Sequence, residues 1–150
     1  MTDRAPGHGL EQMLCFDLYA AQNAFGRFYK ALLDPLGLTY PQYLVMTALW
    51  TEAPLSVGQI GARLGLETNT VTPLLKRLEG AGLVARSRDA ADERRVIVAP
   101  SEAGLALRSR AAHIPACVLD RLGMDAAEVA RLQARLRELR QALDPAEDGV

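Results

Sequence analysis

Over most of the chain the apolar positions recur at intervals of three, four or seven residues, the spacing of one face of an α-helix. Leu14, Leu18, Phe25, Phe28 and Leu32 follow this rule and predict an amphipathic first helix over residues 10–33. Asp34-Pro35-Leu36-Gly37 stops it, because proline cannot continue a helix and disfavours helical geometry in the residue before it. Thr39-Tyr40-Pro41-Gln42 has the form of a capping box with proline near the start, opening a second helix that reaches about Thr51. Ser56-Val57-Gly58-Gln59 repeats the device and opens a short third helix ending at Leu64-Gly65. A fourth helix is predicted over residues 68–80, closed by Gly80-Ala81-Gly82. Pro73 leaves its cap open: Thr68 would bend the first turn, whereas Thr70 would place proline where its missing amide costs nothing.

The pattern then changes. Residues 83–87 and 95–99 read as strands around the charged run 88–94, which predicts a two-stranded ribbon with a long tip. Pro100-Ser101-Glu102 ends the ribbon and caps a fifth helix to about Leu122, bent near Pro115. Asp125 to Glu128 opens a sixth, in which Val129, Leu132, Leu136, Leu139 and Leu143 form a 3-4-3-4 seam. Such a seam packs either on another helix of the same chain or on a second copy. The long apolar faces of both terminal helices favour the second copy. The acidic tail, residues 144–150, is expected to be disordered.

Composition changes this picture little. The chain has 150 residues, the size of a single domain, and 17 Lys+Arg against 18 Asp+Glu, a net charge of −1. Two cysteines exclude a disulfide-built scaffold and a Cys-rich zinc ribbon. Residues 1–9 are polar and no apolar run follows, so no signal peptide is expected. No stretch nears 18 uninterrupted apolar residues, so no membrane span is expected and the predicted location is cytoplasmic. There a cysteine with a use is more often reactive than structural. Every Phe, Tyr and Trp lies between Phe16 and Trp50, in the first third of the chain.

Charge by segment is more informative than the total. Residues 55–100 hold seven Lys/Arg against five Asp/Glu, and the remainder holds ten against thirteen. The helix pair over residues 56–65 and 68–80 has the length and glycine-bearing turn of a helix-turn-helix. Its second helix offers Thr68, Asn69, Thr70 and Thr72 first, then Lys76 and Arg77. Small polar side chains suit base edges in a major groove, and the cations suit phosphates. The ribbon carries Arg86, Arg88, Arg94 and Arg95, and arginine can enter a narrow minor groove. Any one of these charges fits a solvated surface. The threonines and asparagine fit less well there, because they cluster where a surface helix normally carries Glu and Lys.

These residues also carry a family resemblance. Val57-Gly-Gln-Ile-Gly-Ala-Arg-Leu-Gly, Thr70-Val-Thr-Pro-Leu-Leu-Lys-Arg-Leu-Glu, Gly82-Leu-Val and Asp92-Glu-Arg-Arg-Val together resemble the winged helix-turn-helix of MarR-type regulators, over roughly residues 10–143. The resemblance implies a mainly α fold of about six helices plus a two-stranded β-hairpin wing. It implies one domain over residues 1–150, with residues 10–54 and 101–143 serving dimerisation and a sensor pocket and 55–100 forming the winged part. It further implies a homodimer, a pseudo-palindromic double-stranded DNA operator read by the fourth helix, Arg94 at the wing tip, and repression of its own or a neighbouring gene.

Cys15, taken alone, suits an inert core position, since its neighbours Leu14 and Phe16 are apolar. Tyr19, one turn on, brings a phenol to the same face, and the nearby helix N-terminus favours a thiolate. Leu14-Cys15-Phe16-x-Leu18-Tyr19-Ala20, with Tyr29, Tyr40 and the run from Thr72 to Leu78, resembles the organic-hydroperoxide-sensing OhrR branch. That resemblance makes Cys15 the sensor, Tyr29 and Tyr40 donors to the partner's thiolate, and Tyr19 and Phe16 part of the pocket. It makes Cys117 the resolving cysteine of the other subunit, the alternatives being a small thiol or a spare buried cysteine. Oxidation by organic hydroperoxide would then release DNA.

Three other readings stay open. One is a MarR-type repressor that answers to a small aromatic ligand, with Cys15 incidental. Another is a thiol peroxidase or other enzyme, disfavoured because the chain has no Walker sequence, zinc-protease helix, CxxC or nucleotide-binding glycine loop. The third is a metal held by His113 and Cys117 with His8 or Cys15, against which two scattered histidines weigh. No cofactor is expected.

Overall fold

The computed structural model describes residues 9–144. A single 3-10 turn at Leu10–Gln12 precedes α1 (Leu14–Leu33), and a second, Asp34–Leu36, leads to α2 (Tyr40–Thr51). Strand β1 (Leu55–Ser56) runs directly into α3 (Val57–Leu64), followed by α4 (Thr68–Gly80). The hairpin is β2 (Val84–Arg88) and β3 (Val96–Pro100). Helices α5 (Glu102–Ala111), α6 (Ile114–Leu122) and α7 (Ala126–Leu143) complete the chain. Residues through Ala111 make one compact unit and those from Ala112 another. His8 and the tail from residue 145 onward lie outside the described residues.

The capping boxes act as the sequence predicts. At Thr39, Ser56 and Asp125 the side chain accepts from the amide three residues on, and Gln42, Gln59 or Glu128 accepts the cap residue's own amide. Each box satisfies two amides that a helix start leaves without intrahelical partners.

Four expectations need correction. Helix α1 begins at Leu14, not Leu10, because the chain takes a 3-10 turn first. The predicted fifth helix is two helices. Pro115 is the second residue of α6, where a missing amide is harmless, so the chain restarts rather than bends. The cap of α4 is Glu67, without a side-chain cap bond, so neither Thr68 nor Thr70 fills that role. The hairpin has a third neighbour, β1, and the antiparallel order is β1-β3-β2, with Leu55 opposite Val98 and Arg86 opposite Val98 from the other side.

In the first unit the core gathers Val45, Met46 and Leu49 of α2, Ile60 of α3, and Val71, Leu75 and Leu78 of α4, above Leu55, Val84 and Val98 of the sheet. Pro73 lies inside α4, a placement that costs about 3 kcal/mol. Burying Val71, Leu75 and Leu78 returns roughly 2 kcal/mol each, so packing outweighs the proline and holds the helix. Gly61 sets the tightness of the α3–α4 turn: a Cβ there would lie 2.7 Å from the Leu66 carbonyl oxygen. In the second unit α7 leaves Leu132, Leu136 and Leu143 exposed. In the first, α1 exposes Leu14, Phe16, Tyr19 and Phe25, and only Leu33 of that helix is buried.

Candidate nucleic-acid interface and thiol site

Thr68, Asn69 and Thr70 form the exposed first turn of α4, and Lys76 and Arg77 stand exposed two turns further on. Thr72 is only half exposed, and its hydroxyl donates to the Thr68 carbonyl at 2.9 Å. That hydroxyl proton is spent inside the helix. The helix thus presents three short polar side chains at its N-terminal end and two cations behind them.

The wing is braced throughout its tip. The Asp89 carboxylate accepts from the Ala91 amide at 3.0 Å and faces Arg95 at 3.7 Å. The Asp92 carboxylate accepts from both the backbone amide and Nε of Arg94, each at 3.1 Å. Those bonds hold the Asp92 carboxyl below the usual carboxylate range. The Arg88 guanidinium donates to the Glu93 carbonyl at 2.9 Å. Arg94 has 91% of its side chain exposed, against 47% for Arg95 and 24% for Arg86. Arg86 does not stand free on the ribbon as the sequence suggests: its Nε and Nη2 donate to the two carboxylate oxygens of Glu79 at 3.2 and 3.1 Å. Sequence reasoning quoted Glu79 and Asp92 within family motifs but paired none of these carboxylates with an arginine. An aspartate two residues before the amide it caps is a turn signal, and that spacing marks both Asp89 and Asp92.

Cys15 is the second residue of α1, closer to the helix start than the sequence suggests, and it is an exposed free thiol. Phe16 and Tyr19 beside it are exposed as well. Tyr29 and Tyr40 lie together, ring centroids 4.7 Å apart, with Tyr43 6.0 Å from the first and 6.5 Å from the second. Phe25 and Phe28 flank Tyr29, and Trp50 meets Tyr43 edge-on at 6.4 Å. Sequence reasoning missed Tyr43 and Trp50 as members of this cluster. Desolvation, then the neighbouring phenols of Tyr40 and Tyr43, push Tyr29 up to about 12, and burial also raises Tyr40. Both therefore remain protonated hydrogen-bond donors at neutral pH.

One chain does not bring the thiol to these phenols. Tyr29 is fourteen residues beyond Cys15 on α1, about 21 Å along the axis at 1.5 Å per residue. Cys117, in the second unit, is a half-buried free thiol in the second turn of α6, its amide donating to the His113 carbonyl at 3.1 Å. Among the described residues, no three His, Cys, Asp or Glu side chains group as metal ligands would, and no helix is long and apolar enough to cross a membrane.

The MarR family pattern matches residues 38–96, the segment from α2 to the wing. The chain is 45% identical over 142 residues to the HTH-type transcriptional regulator TtmR of Methylorubrum extorquens (strain PA1), covering 95% of this chain and 73% of that one. It is 40% identical over 134 residues to the organic hydroperoxide resistance transcriptional regulator of Bacillus subtilis (strain 168), covering 89% and 91%. The chain belongs to the MarR family. It is a DNA-binding transcriptional regulator of that family, and both relatives are named as regulators rather than enzymes. Among solved MarR-type structures, reduced AbfR bound to DNA superposes with a TM-score of 0.76 at 34% identity, over 87% of this chain and 90% of that one. AbfR, of Staphylococcus epidermidis, has also been solved overoxidised on DNA and in a disulfide form, with TM-scores of 0.73 and 0.64.

Proposed function

We propose that this MarR-family regulator is a redox-responsive repressor. It binds a pseudo-palindromic operator as a homodimer while Cys15 is reduced, and leaves the DNA when an organic hydroperoxide oxidises Cys15. The observation that carries this reading is the exposed thiol at the first turn of α1, among Leu14, Phe16 and Tyr19, in a chain 40% identical to a hydroperoxide resistance regulator. The exposed apolar faces of α1 and α7 support the dimer, since an isolated chain gains nothing by leaving such faces in water. The length of α1 between Cys15 and Tyr29 supports a shared site, the thiol from one copy and the phenols of Tyr29 and Tyr40 from the other.

In the reaction, the Cys15 thiolate attacks the terminal peroxide oxygen, the O–O bond breaks, and the alkoxide takes a proton and leaves as an alcohol. The two-electron oxidation yields a sulfenic acid. The Cys117 thiol of the other copy then displaces its hydroxyl as water and forms a disulfide, which requires the two Cα atoms to come within about 5–6 Å. Moving α1 and α6 to that distance changes the spacing of the two α4 helices, which must match half-sites about 34 Å apart. On DNA, Thr68, Asn69 and Thr70 would meet base edges, Lys76 and Arg77 phosphates, and Arg94 and Arg95 the minor groove.

A mobility shift on the protein's own upstream DNA, with and without cumene hydroperoxide, tests the proposal. Wild type should be released and Cys15→Ser retained. Equal release of both would overturn it and favour a ligand-responsive regulator with an incidental thiol. On a non-reducing gel, oxidised wild type should run as a linked dimer and Cys117→Ser should not.

A further inference from the structure

We infer that Arg86 positions the wing against the reading helix, and is not itself a DNA ligand. The wing tip is cross-braced, because Asp89, Asp92 and the Glu93 carbonyl hold Ala91, Arg94, Arg95 and Arg88. Its covalent link to α4 is the short turn Ala81-Gly82-Leu83, in which the Gly82 and Leu83 amides donate to the Glu79 and Leu78 carbonyls. At its base the hairpin is also held by the burial of Val84 and Val98 and by the pairing of β3 with β1. The Glu79–Arg86 fork, formed across the turn by two parallel N–H to oxygen bonds, adds a side-chain link between α4 and β2. That link stiffens the angle between helix and hairpin. That angle sets the distance from Thr68, Asn69 and Thr70 to the exposed Arg94.

The placement of Glu79 points the same way. A carboxylate in the last turn of a helix opposes the helix dipole, and on a DNA-facing helix it also faces phosphates. Arg86 neutralises it, and the hydrogen bonds from Arg86 hold the Glu79 carboxyl in its charged form. Arg94 is forked to Asp92 in the same way but keeps 91% of its side chain exposed within its own turn, whereas Arg86 is 24% exposed and its charge is balanced by a carboxylate of another element.

The salt dependence of binding separates a ligand from a positioning residue. Each phosphate neutralised adds about 0.9 to the log–log slope of affinity against salt, whereas orientation alone adds none. Fluorescence anisotropy with a duplex from the region upstream of the reading frame, and with a random-sequence duplex, supplies the readout. Arg94→Gln should weaken binding and flatten the slope by about 0.9. Arg86→Gln should weaken binding to the upstream duplex about threefold to tenfold with the slope unchanged, and should barely affect the random duplex. Glu79→Gln should do the same, and the double variant should be no worse than either single. The swap Glu79→Arg with Arg86→Glu should recover part of the loss, and guards against reading a folding defect as a positioning effect. A slope flattened by Arg86→Gln would overturn the inference, as would tighter binding by Glu79→Gln, additive losses, or no loss at all. The inference rests on the DNA-binding role of the family. Absence of binding by wild type would count against the proposed operator, a result distinct from each of these.

Discussion

Tyr29 is the residue at which burial and chemistry meet. Its phenol sits against Tyr40 and Tyr43, and its pKa is raised from 10.0 to about 12. The folded state therefore holds the phenolic proton more tightly than the unfolded chain does. The stability so gained is complete below about pH 10 and is lost as pH rises toward 12. Tyr29→Phe should show a shallower loss of stability over that window, measured by urea unfolding at successive pH values. If the phenol also donates to the thiolate of a second copy, the same variant should slow peroxide release of DNA about tenfold or more, as for one hydrogen bond to a charged group. Gly104 makes a purely structural contrast. A Cβ there would lie 2.1 Å from the Leu83 carbonyl oxygen, and the Gly104 carbonyl accepts from the single tryptophan, Trp50, at 2.9 Å. Gly104→Ala should cost about 1–3 kcal/mol and shift the Trp50 emission, read by thermal melting and fluorescence. Tyr29 and Tyr40 were singled out only through the resemblance to the OhrR branch, whereas Cys15 was legible in the sequence through residue type and its spacing from Tyr19. The partner of Arg86 was not, because Glu79 meets it only once the chain has turned at Gly82.

Helices whose ends are written in local chemistry were read to the residue. Thr39 with Gln42, Ser56 with Gln59 and Asp125 with Glu128 each fix a start, and no tertiary contact is needed to see it. Elements decided by packing were not. Strand β1 is two residues long and has no periodicity to detect; it exists because Leu55 and Ser56 pair with Val98 and Ile97. The range of α4 was read as it stands, 68–80, but its cap was not: Glu67 makes no side-chain cap bond, and the helix is held by the burial of Val71, Leu75 and Leu78. The break before α6 was visible as Pro115 but weighed as a bend, since proline suits a helix start as well as a kink. Ser56 belongs to both kinds, closing a capping box and pairing in the sheet while buried. Ser56→Ala should therefore cost about 1 kcal/mol or somewhat more, checked by denaturant unfolding.

On the scale of the whole molecule, the small net charge hides an uneven distribution, with a basic excess of two in residues 55–100, an equal one in residues 101–143, and the acidic excess at the two ends of the chain. The apolar excess lies elsewhere, on Leu14, Phe16 and Phe25 of α1 and on Leu132, Leu136 and Leu143 of α7. If these faces meet a second copy, Leu136→Glu should convert the protein to a monomer by light scattering and abolish operator binding. Retention of the dimer would place the contact on other residues.

The length of α1 has one more consequence. If the thiol of one copy meets the phenols of another, as proposed, a lone copy carries two unmatched halves and each complete sensor belongs to a pair. Association would then govern two properties by the same mass action, recognition of the operator and reactivity toward peroxide. Diluted below its dissociation constant, the protein should lose both together, and Cys15 should react only as an ordinary exposed thiol. Abundance in the cell would thus set the threshold at which the alarm can be heard.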